Sequence, residues 1–264
     1  PLLKFIVSEI QKLANKGTFA GKKIAYRLIT NGSLITKEIA RFLSSNNIKT
    51  SVSIDGPEST HDKMRCYPNG KGTYYDTIRG YKILQKFGFS EISLTINAHN
   101  ISNLKRTVQY LVETLHAKAI RLNVQEGYLK DKNSILPISF SETAKNLCET
   151  FNYLLEQGIA STNLGINAYI NCRPNFYPCN GCGKRLAIAP DGDVSPCESF
   201  LSGKKYLLGN ILDKDFAIYG NHLYKKWLNR AGLLINKCRT CKAVGLCGGG
   251  CAYNAETFNA DFMG

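Results

Sequence analysis

The feature that most constrains this chain is an array of eight cysteines, out of ten in the sequence. They stand at Cys172, Cys179, Cys182, Cys197, Cys238, Cys241, Cys247 and Cys251. Thiolates two residues apart can bind one metal centre, because a tight turn brings both sulfurs to the same side. Glycines next to them, such as the three before the last cysteine, let the backbone pass close to a bulky inorganic core. Eight thiolates therefore indicate two four-cysteine iron–sulfur clusters.

Two other uses of cysteine compete with this interpretation. Disulfides are typical of small secreted domains, whereas 264 residues can bury a full hydrophobic core. Structural zinc also takes four thiolates, so a zinc-ribbon protein that binds nucleic acid is the alternative. Cys66 and Cys148 lie outside the array and are interpreted as ordinary loop and helix residues.

Charge and composition restrict the class of protein further. The net charge of +14 suits either nucleic acid or an acidic peptide, but the lysines occur as scattered pairs. No apolar run reaches the roughly 20 residues of a membrane helix, and no signal peptide is visible. Reduced cysteines without a secretion signal predict a cytoplasmic protein.

The first half of the chain alternates helical and strand patterns, which predicts βα units and a parallel sheet or barrel. The alternation changes to short cysteine-containing segments near residues 160–170, so we expect two domains, 1–165 and 166–264. In the second domain, residues 186–189 and 194–197 flank a turn and predict a hairpin. Strands are predicted over 23–29, 49–54, 91–97 and 119–124, and helices over 2–15, 36–45, 73–86, 101–116 and 139–157.

Polar residues follow four successive predicted strands: Asn31, Asp55, Asn97 and Gln125. In a parallel βα barrel, the carboxyl ends of the strands form the rim where chemistry takes place. Asparagine and aspartate also suit turns and helix caps, so a structural role explains any one of these residues better, and only their occurrence at four strand ends in succession favours a functional rim.

Several segments together carry a family resemblance. Ser53-Ile-Asp-Gly-Pro57, His61-Asp62, Arg65 and Gly70-Lys-Gly-Thr73 resemble radical S-adenosylmethionine (SAM) enzymes that mature peptides. Ala187 to Cys197, Leu208 to Ile211, and the cysteines from Cys238 to Cys251 resemble their SPASM domain. The resemblance is to anaerobic sulfatase-maturating enzymes and peptide thioether maturases. It implies a partial (β/α)6 barrel, without its first strands, followed by a SPASM domain.

The resemblance also implies cofactors and ligands. A first auxiliary [4Fe–4S] cluster would use Cys182, Cys197, Cys251 and Cys179, with Cys172 in reserve for Cys179. A second would use Cys238, Cys241 and Cys247, with its fourth ligand expected beyond Gly264. The SAM-cleaving cluster of the family needs a Cys-x3-Cys-x2-Cys loop, which this sequence does not contain. We therefore expect an N-terminally truncated chain that does not cleave SAM by itself.

The resemblance further assigns residues and partners. Asn31, Ser53, Asp55 and Arg65 would lie near SAM or the substrate. Glu198 would act in proton transfer, at a position where sulfatase maturases carry aspartate. The implied reaction is hydrogen abstraction from a peptide residue by a 5′-deoxyadenosyl radical, giving formylglycine or a thioether crosslink. Flavodoxin or ferredoxin would supply electrons to a peptide- or protein-modifying enzyme in an anaerobic host, and no membrane or nucleic-acid partner is expected.

Overall fold

The computed structural model describes residues 1–88, 90–97, 99–124, 140–162, 174–179 and 181–263. Two parts follow each other along this chain, a βα part and a cysteine-rich part. The expected domain boundary at residues 165 and 166 lies outside the described residues.

The βα part is built on one five-stranded parallel sheet. Its strands are hydrogen-bonded in the order in which they occur in the chain. A barrel is built from strands in this order, whereas a doubly wound sheet reverses its strand order. The strands are β1 (Arg27–Thr30), β2 (Lys49–Ser53), β3 (Ser90–Ile96), β4 (Ala119–Val124) and β5 (Ala160–Thr162).

Three of the four predicted strands agree with the structure to within one residue at each end. The prediction for residues 23–29 is wrong at its start, because β1 begins only at Arg27. The cause lies in the neighbouring strand. Arg27 pairs with Lys49, the first residue of β2, so the residues before Arg27 have no β2 residue to pair with.

Helices precede, connect and cover the strands: α1 (Leu2–Asn15), α2 (Lys37–Ser45), α3 (Glu58–Met64), α4 (Tyr74–Lys86), α5 (Leu104–Glu113) and α6 (Phe140–Glu156). Thr36 caps α2 by accepting a hydrogen bond from the Ile39 N–H at 3.3 Å. Thr73 occupies the N-cap position of α4, as the helix predicted over 73–86 implies, but its side chain makes no capping hydrogen bond. Asp62 Oδ1 accepts from the Tyr74 N–H at 2.9 Å instead.

The core of this part lies between the sheet and its helices. Ile92 and Leu94 of β3 are fully buried, as are Leu104 and Leu111 of α5.

The helix predicted over 101–116 starts as a 3-10 turn, and its α-helical part ends at Glu113. In the part of the chain that the structure describes, no helix has the length and apolar character needed to cross a membrane.

The cysteine-rich part contains a three-stranded antiparallel sheet, β6 (Ala187–Ile188), β7 (Asp193–Ser195) and β8 (Gly209–Asn210). The predicted hairpin is β6 and β7. Strand β8 has two residues, which is too short for a periodic sequence pattern to reveal. Three helices follow, α7 (His222–Leu228), α8 (Val244–Cys247) and α9 (Ala252–Asn259). Helices α7 and α9 contribute Trp227 and Ala252 to a small core that also contains Cys197, Phe200 and Phe262.

Candidate functional site: a sheet rim and a cysteine centre

The carboxylate of Asp55 is the centre of a polar network at the carboxyl end of β2. It is 1% exposed and accepts hydrogen bonds from Arg65 Nε at 2.6 Å and from the Thr95 N–H at 2.8 Å. Arg65 Nη2 contacts the second carboxylate oxygen at 3.3 Å and Thr95 Oγ1 at 3.2 Å. Two strands and the loop after α3 thereby hold one guanidinium at the rim of the sheet.

His61 contacts this network through both nitrogens of its ring. Its Nδ1 accepts from the Asp55 N–H at 3.3 Å, and its Nε2 lies 3.1 Å from Thr73 Oγ1. The Thr73 hydroxyl donates to the Arg65 carbonyl at 3.0 Å, so His61 Nε2 must be the donor to that hydroxyl. The ring is fully buried, and this burial lowers the pKa of His61. His61 is therefore a neutral residue that orients the loop bearing Asp55 and Arg65.

Two of the other predicted rim residues, Asn31 and Asn97, hydrogen-bond to residues close to them in the chain. Asn31 is exposed, and its side-chain oxygen accepts from the Ser33 N–H at 3.2 Å. Asn97 Oδ1 accepts from the His99 N–H at 2.8 Å. Asn31 and Asn97 therefore each form an Asx-type turn. Ser53 is half-buried at the end of β2, in register with Ser93. Gln125 lies outside the described residues.

Backbone contacts bring the cysteine-bearing segments together. A Cβ on Gly181 would lie 3.0 Å from the Pro196 carbonyl, so the Cys179–Cys182 turn packs against the residue before Cys197. A Cβ on Gly248 would lie 2.5 Å from the Tyr177 carbonyl carbon. The loop between Cys247 and Cys251 therefore packs against the residues that lead into Cys179. Only glycine permits the approach at Gly248, and at Gly181 a side chain would be tightly placed, which explains glycines at these positions in the array.

The thiols differ in their exposure. Cys182 and Cys197 are buried, Cys238 and Cys251 are half-buried, and Cys179, Cys241 and Cys247 are exposed. The hydrogen bond with Cys179 and burial raise the pKa of Cys182, and burial raises that of Cys197. Cys172, the reserve ligand, lies outside the described residues.

A buried arginine lies among these thiols. Arg230 is 1% exposed, and its charge interacts with the sulfurs of Cys182, Cys251, Cys179 and Cys238. Within the described ranges, no three histidine, cysteine, aspartate or glutamate side chains are close enough together to bind one metal ion. The chemistry nevertheless fits an anionic thiolate-bound cluster, because the Cys182 thiol and the glycine-rich segment before Cys251 both contact this desolvated, positively charged residue.

Glu198 follows Cys197 at the start of a short 3-10 helix. Its side chain is 63% exposed and forms an ion pair with Arg185 at 2.9 Å. The structure thus places this carboxylate beside a cysteine segment and on the surface of the described chain. Its predicted role in proton transfer stays a prediction.

Sequence reasoning missed two residues. His61 was given no chemistry because it forms no ligand spacing with the other histidines. Arg230 received no attention, although a lone arginine in the apolar stretch from Trp227 to Ile235 is a visible signal. Arginine is almost never fully buried unless it is paired, so such a position indicates a partner for its charge.

Comparison with known proteins supports iron–sulfur chemistry in the cysteine-rich part. Residues 179–242 match the SPASM family, described as an iron–sulfur cluster-binding domain. Over 238 residues the chain is 27% identical to the radical SAM cyclopropyl synthase TigE of Paramaledivibacter caminithermalis, covering 87% of this chain and 48% of that protein. It is 25% identical to a cysteine-type anaerobic sulfatase-maturating enzyme of Clostridium novyi, covering 88% and 65% of the two chains. The chain thus spans about half to two thirds of the length of these relatives.

A solved structure shows the same fold. The structure described as native anSMEcpe with bound AdoMet and Cp18Cys peptide superposes with a TM-score of 0.78 at 22% identity, covering 95% of this chain and 72% of the other. The predicted fold class, a partial parallel βα barrel with a SPASM domain, is confirmed. The match to an iron–sulfur domain also favours iron–sulfur clusters over zinc as the metal centres of the cysteine array.

Proposed function

We propose that this chain, a relative of the radical SAM enzymes with a C-terminal SPASM domain, forms the substrate- and cluster-binding parts of a peptide-modifying oxidoreductase. One observation carries the proposal: the buried Arg230 joins two cysteine segments, because its side chain donates to the carbonyls of Gly249 and Gly250, just before Cys251, and its own carbonyl accepts from Cys182 Sγ at 3.7 Å. The related proteins named above are radical SAM and sulfatase-maturating enzymes, and one structure of the same fold holds AdoMet and a peptide.

We assign the cluster ligands as the sequence suggests. Cys179, Cys182, Cys197 and Cys251 would hold a first [4Fe–4S] cluster, since packing at Gly181 and Gly248 joins their segments. Cys238, Cys241 and Cys247 would contribute to a second. The Cys238–Cys241 pair has the two-residue spacing that suits one metal centre, and Cys247 closes a short helix beside it.

The rim of the sheet would hold the organic reactants. When bound to a reduced cluster, SAM supplies a 5′-deoxyadenosyl radical that abstracts hydrogen from a peptide residue. Arg65 offers a positive charge fixed by two contacts to Asp55, and its side chain is 27% exposed. This guanidinium suits the carboxylate of SAM or an acidic group of the peptide. Ser53 and Asn31 would add polar contacts at the same rim.

Glu198 would move a proton at the substrate. Its carboxylate lies one residue from Cys197, so a peptide bound near that cluster would be within its reach. In the free protein this carboxylate pairs with Arg185 at 2.9 Å on the surface. Flavodoxin or ferredoxin would supply the electrons, and a reducing cytoplasm suits the thiolate ligands.

Anaerobic reconstitution with iron and sulfide tests the cluster assignment. We expect iron and acid-labile sulfide in the amounts of two clusters, with broad visible absorbance. Cys182→Ala should lose the signal of one cluster, whereas Cys148→Ala, an exposed cysteine of α6, should load like the wild-type chain. Stoichiometric zinc without labile sulfide would contradict the proposal.

The role of Glu198 is tested in an enzyme form that also contains a SAM-binding cluster. General acid–base groups contribute about 10²–10⁴-fold, so Glu198→Gln should lower peptide turnover by at least about 100-fold. Arg185→Gln, which removes only the surface partner, should lower it much less. Wild-type turnover in Glu198→Gln with unchanged iron content would show that Glu198 is a surface residue only.

A further inference from the structure

Arg230 is a buried cation whose described contacts include no carboxylate. It follows the C-terminal end of α7, and its side chain is 1% exposed. In the described ranges no aspartate or glutamate forms an ion pair with it. An uncompensated charge in a protein interior is strongly destabilising. Its position therefore requires a source of negative charge nearby.

The guanidinium is held in one orientation by backbone carbonyls. Nε donates to the Phe262 carbonyl at 2.8 Å, and Nη1 donates to the Gly250 carbonyl at 2.8 Å. Nη2 donates to the Gly249 carbonyl at 3.3 Å, and the Phe262 ring covers one face of the group, with 5.6 Å from Cζ to the ring centre. These acceptors are neutral, so they fix the orientation of the charge without cancelling it.

The same arginine joins two cysteine segments. Gly249 and Gly250 directly precede Cys251, and the Arg230 carbonyl accepts from Cys182 Sγ at 3.7 Å. The side chain therefore contacts the segment of one proposed ligand while the main chain contacts another ligand itself. The negative charge that compensates the guanidinium can come from these sulfurs once they are thiolates.

We propose that Arg230 is the counter-charge of the iron–sulfur cluster bound by Cys179, Cys182, Cys197 and Cys251, and that it raises the reduction potential of that cluster. Four thiolates outweigh the positive charge of an iron–sulfur core, so the bound cluster is an anion. Uptake of one electron adds a further negative charge, which a fixed cation in a dry site stabilises more than it stabilises the oxidised state. Arg230 acts here as a positioning and tuning residue, and the inference rests on the cluster assignment of the proposed function.

The test compares variants of the whole 264-residue chain after anaerobic reconstitution with iron and sulfide. Arg230→Gln and Arg230→Met remove the charge, Arg230→Lys keeps it, and Lys225→Gln removes an exposed charge from α7, which ends just before Arg230. Iron and sulfide are assayed, folding is followed by circular dichroism, and the reduced fraction is measured by electron paramagnetic resonance at set potentials.

We expect the neutral variants to load iron but to show a reduced-to-oxidised ratio about tenfold lower at the same potential. That ratio corresponds to a potential about 59 mV lower for one electron. Arg230→Lys and Lys225→Gln should stay close to the wild-type ratio. Neutral variants that fold without retaining iron, while Arg230→Lys retains it, would also support a requirement for the charge.

Two results would overturn this inference but leave the proposed function unaffected. One is a neutral variant that loads normally and keeps the wild-type potential. The other is loss of iron in Arg230→Lys as well as in the neutral variants, which would indicate a purely structural role for the guanidinium. A wild-type chain that binds no labile sulfide would overturn the proposed function and this inference with it.

Discussion

The Asp55–Arg65 pair at the sheet rim should make a large contribution to the stability of the βα part. Asp55→Asn keeps the shape of the side chain and leaves an oxygen that can still accept from the Thr95 N–H. The new amide nitrogen, however, faces a donor, Arg65 Nε, which lies 2.6 Å from Oδ2 in the wild-type protein. The substitution therefore replaces a charge-assisted hydrogen bond with two opposed donors.

The size of the effect follows from burial. Removing one partner of a fully buried ion pair costs about 3–5 kcal/mol, and a hydrogen bond to a charged group contributes about 1.5–3 kcal/mol. Asp55 is buried but the Arg65 side chain is 27% exposed, so water can solvate part of the released guanidinium. We expect the free energy of unfolding to fall by about 2–3 kcal/mol in Asp55→Asn.

Urea unfolding followed by circular dichroism measures this change. The matched control is Glu9→Gln, which breaks the exposed pair of Glu9 with Lys12 and should change stability by no more than about 0.5 kcal/mol. In a double-mutant cycle with Arg65→Met, we expect a coupling energy of about 1–3 kcal/mol. An unchanged urea midpoint in Asp55→Asn, or a coupling energy near zero, would refute the reasoning.

Two further predictions concern the same part of the chain. Because burial lowers the pKa of His61 below its ordinary value of 6.5, the unfolded chain takes up a proton below about pH 6.5 that the folded chain does not, so stability should fall as the pH drops through this range. Urea midpoints at pH 7.5 and pH 5.5 check this, and His61→Gln should show a smaller difference between them than the exposed-site control His222→Gln. A Cβ on Gly80 would lie 2.0 Å from the Gly32 carbonyl oxygen, so Gly80→Ala should lower the thermal midpoint by several degrees, whereas Gly245→Ala, with open space around its Cβ, should leave it almost unchanged.

The regular parts of the fold could be predicted because their signals are local. Helix α1 matches its predicted bounds, and β4 matches residues 119–124, since periodic apolar residues specify each of them. The first strand was placed too early because its extent depends on where its partner begins. The side chain that accepts a hydrogen bond at the start of α4 could not be predicted, because Asp62, which supplies it, is separated from Tyr74 by a loop.

The candidate site, like the fold, could be predicted from the sequence only in part. The spacing of the cysteines and the residues from Ser53 to Arg65 were sufficient to predict the family likeness and the cluster chemistry, because short spacings constrain metal ligands directly. The individual ligand and rim assignments remain predictions. What the structure adds is the network around each site, in particular the Thr95 contact at the rim and the position of Arg230 among the thiols.

Sequence by itself therefore determined the kind of chemistry and the order of the elements, because both are encoded in neighbouring residues. Only the tertiary structure decided which charges are buried and what they contact. The buried state of Arg230 results from the packing of Trp227 and Phe262 and from hydrogen bonds to carbonyls that lie 19 to 32 residues away along the chain. Such long-range contacts leave no periodic trace in a sequence, since desolvation depends on everything that surrounds a side chain and not on its neighbours in the chain.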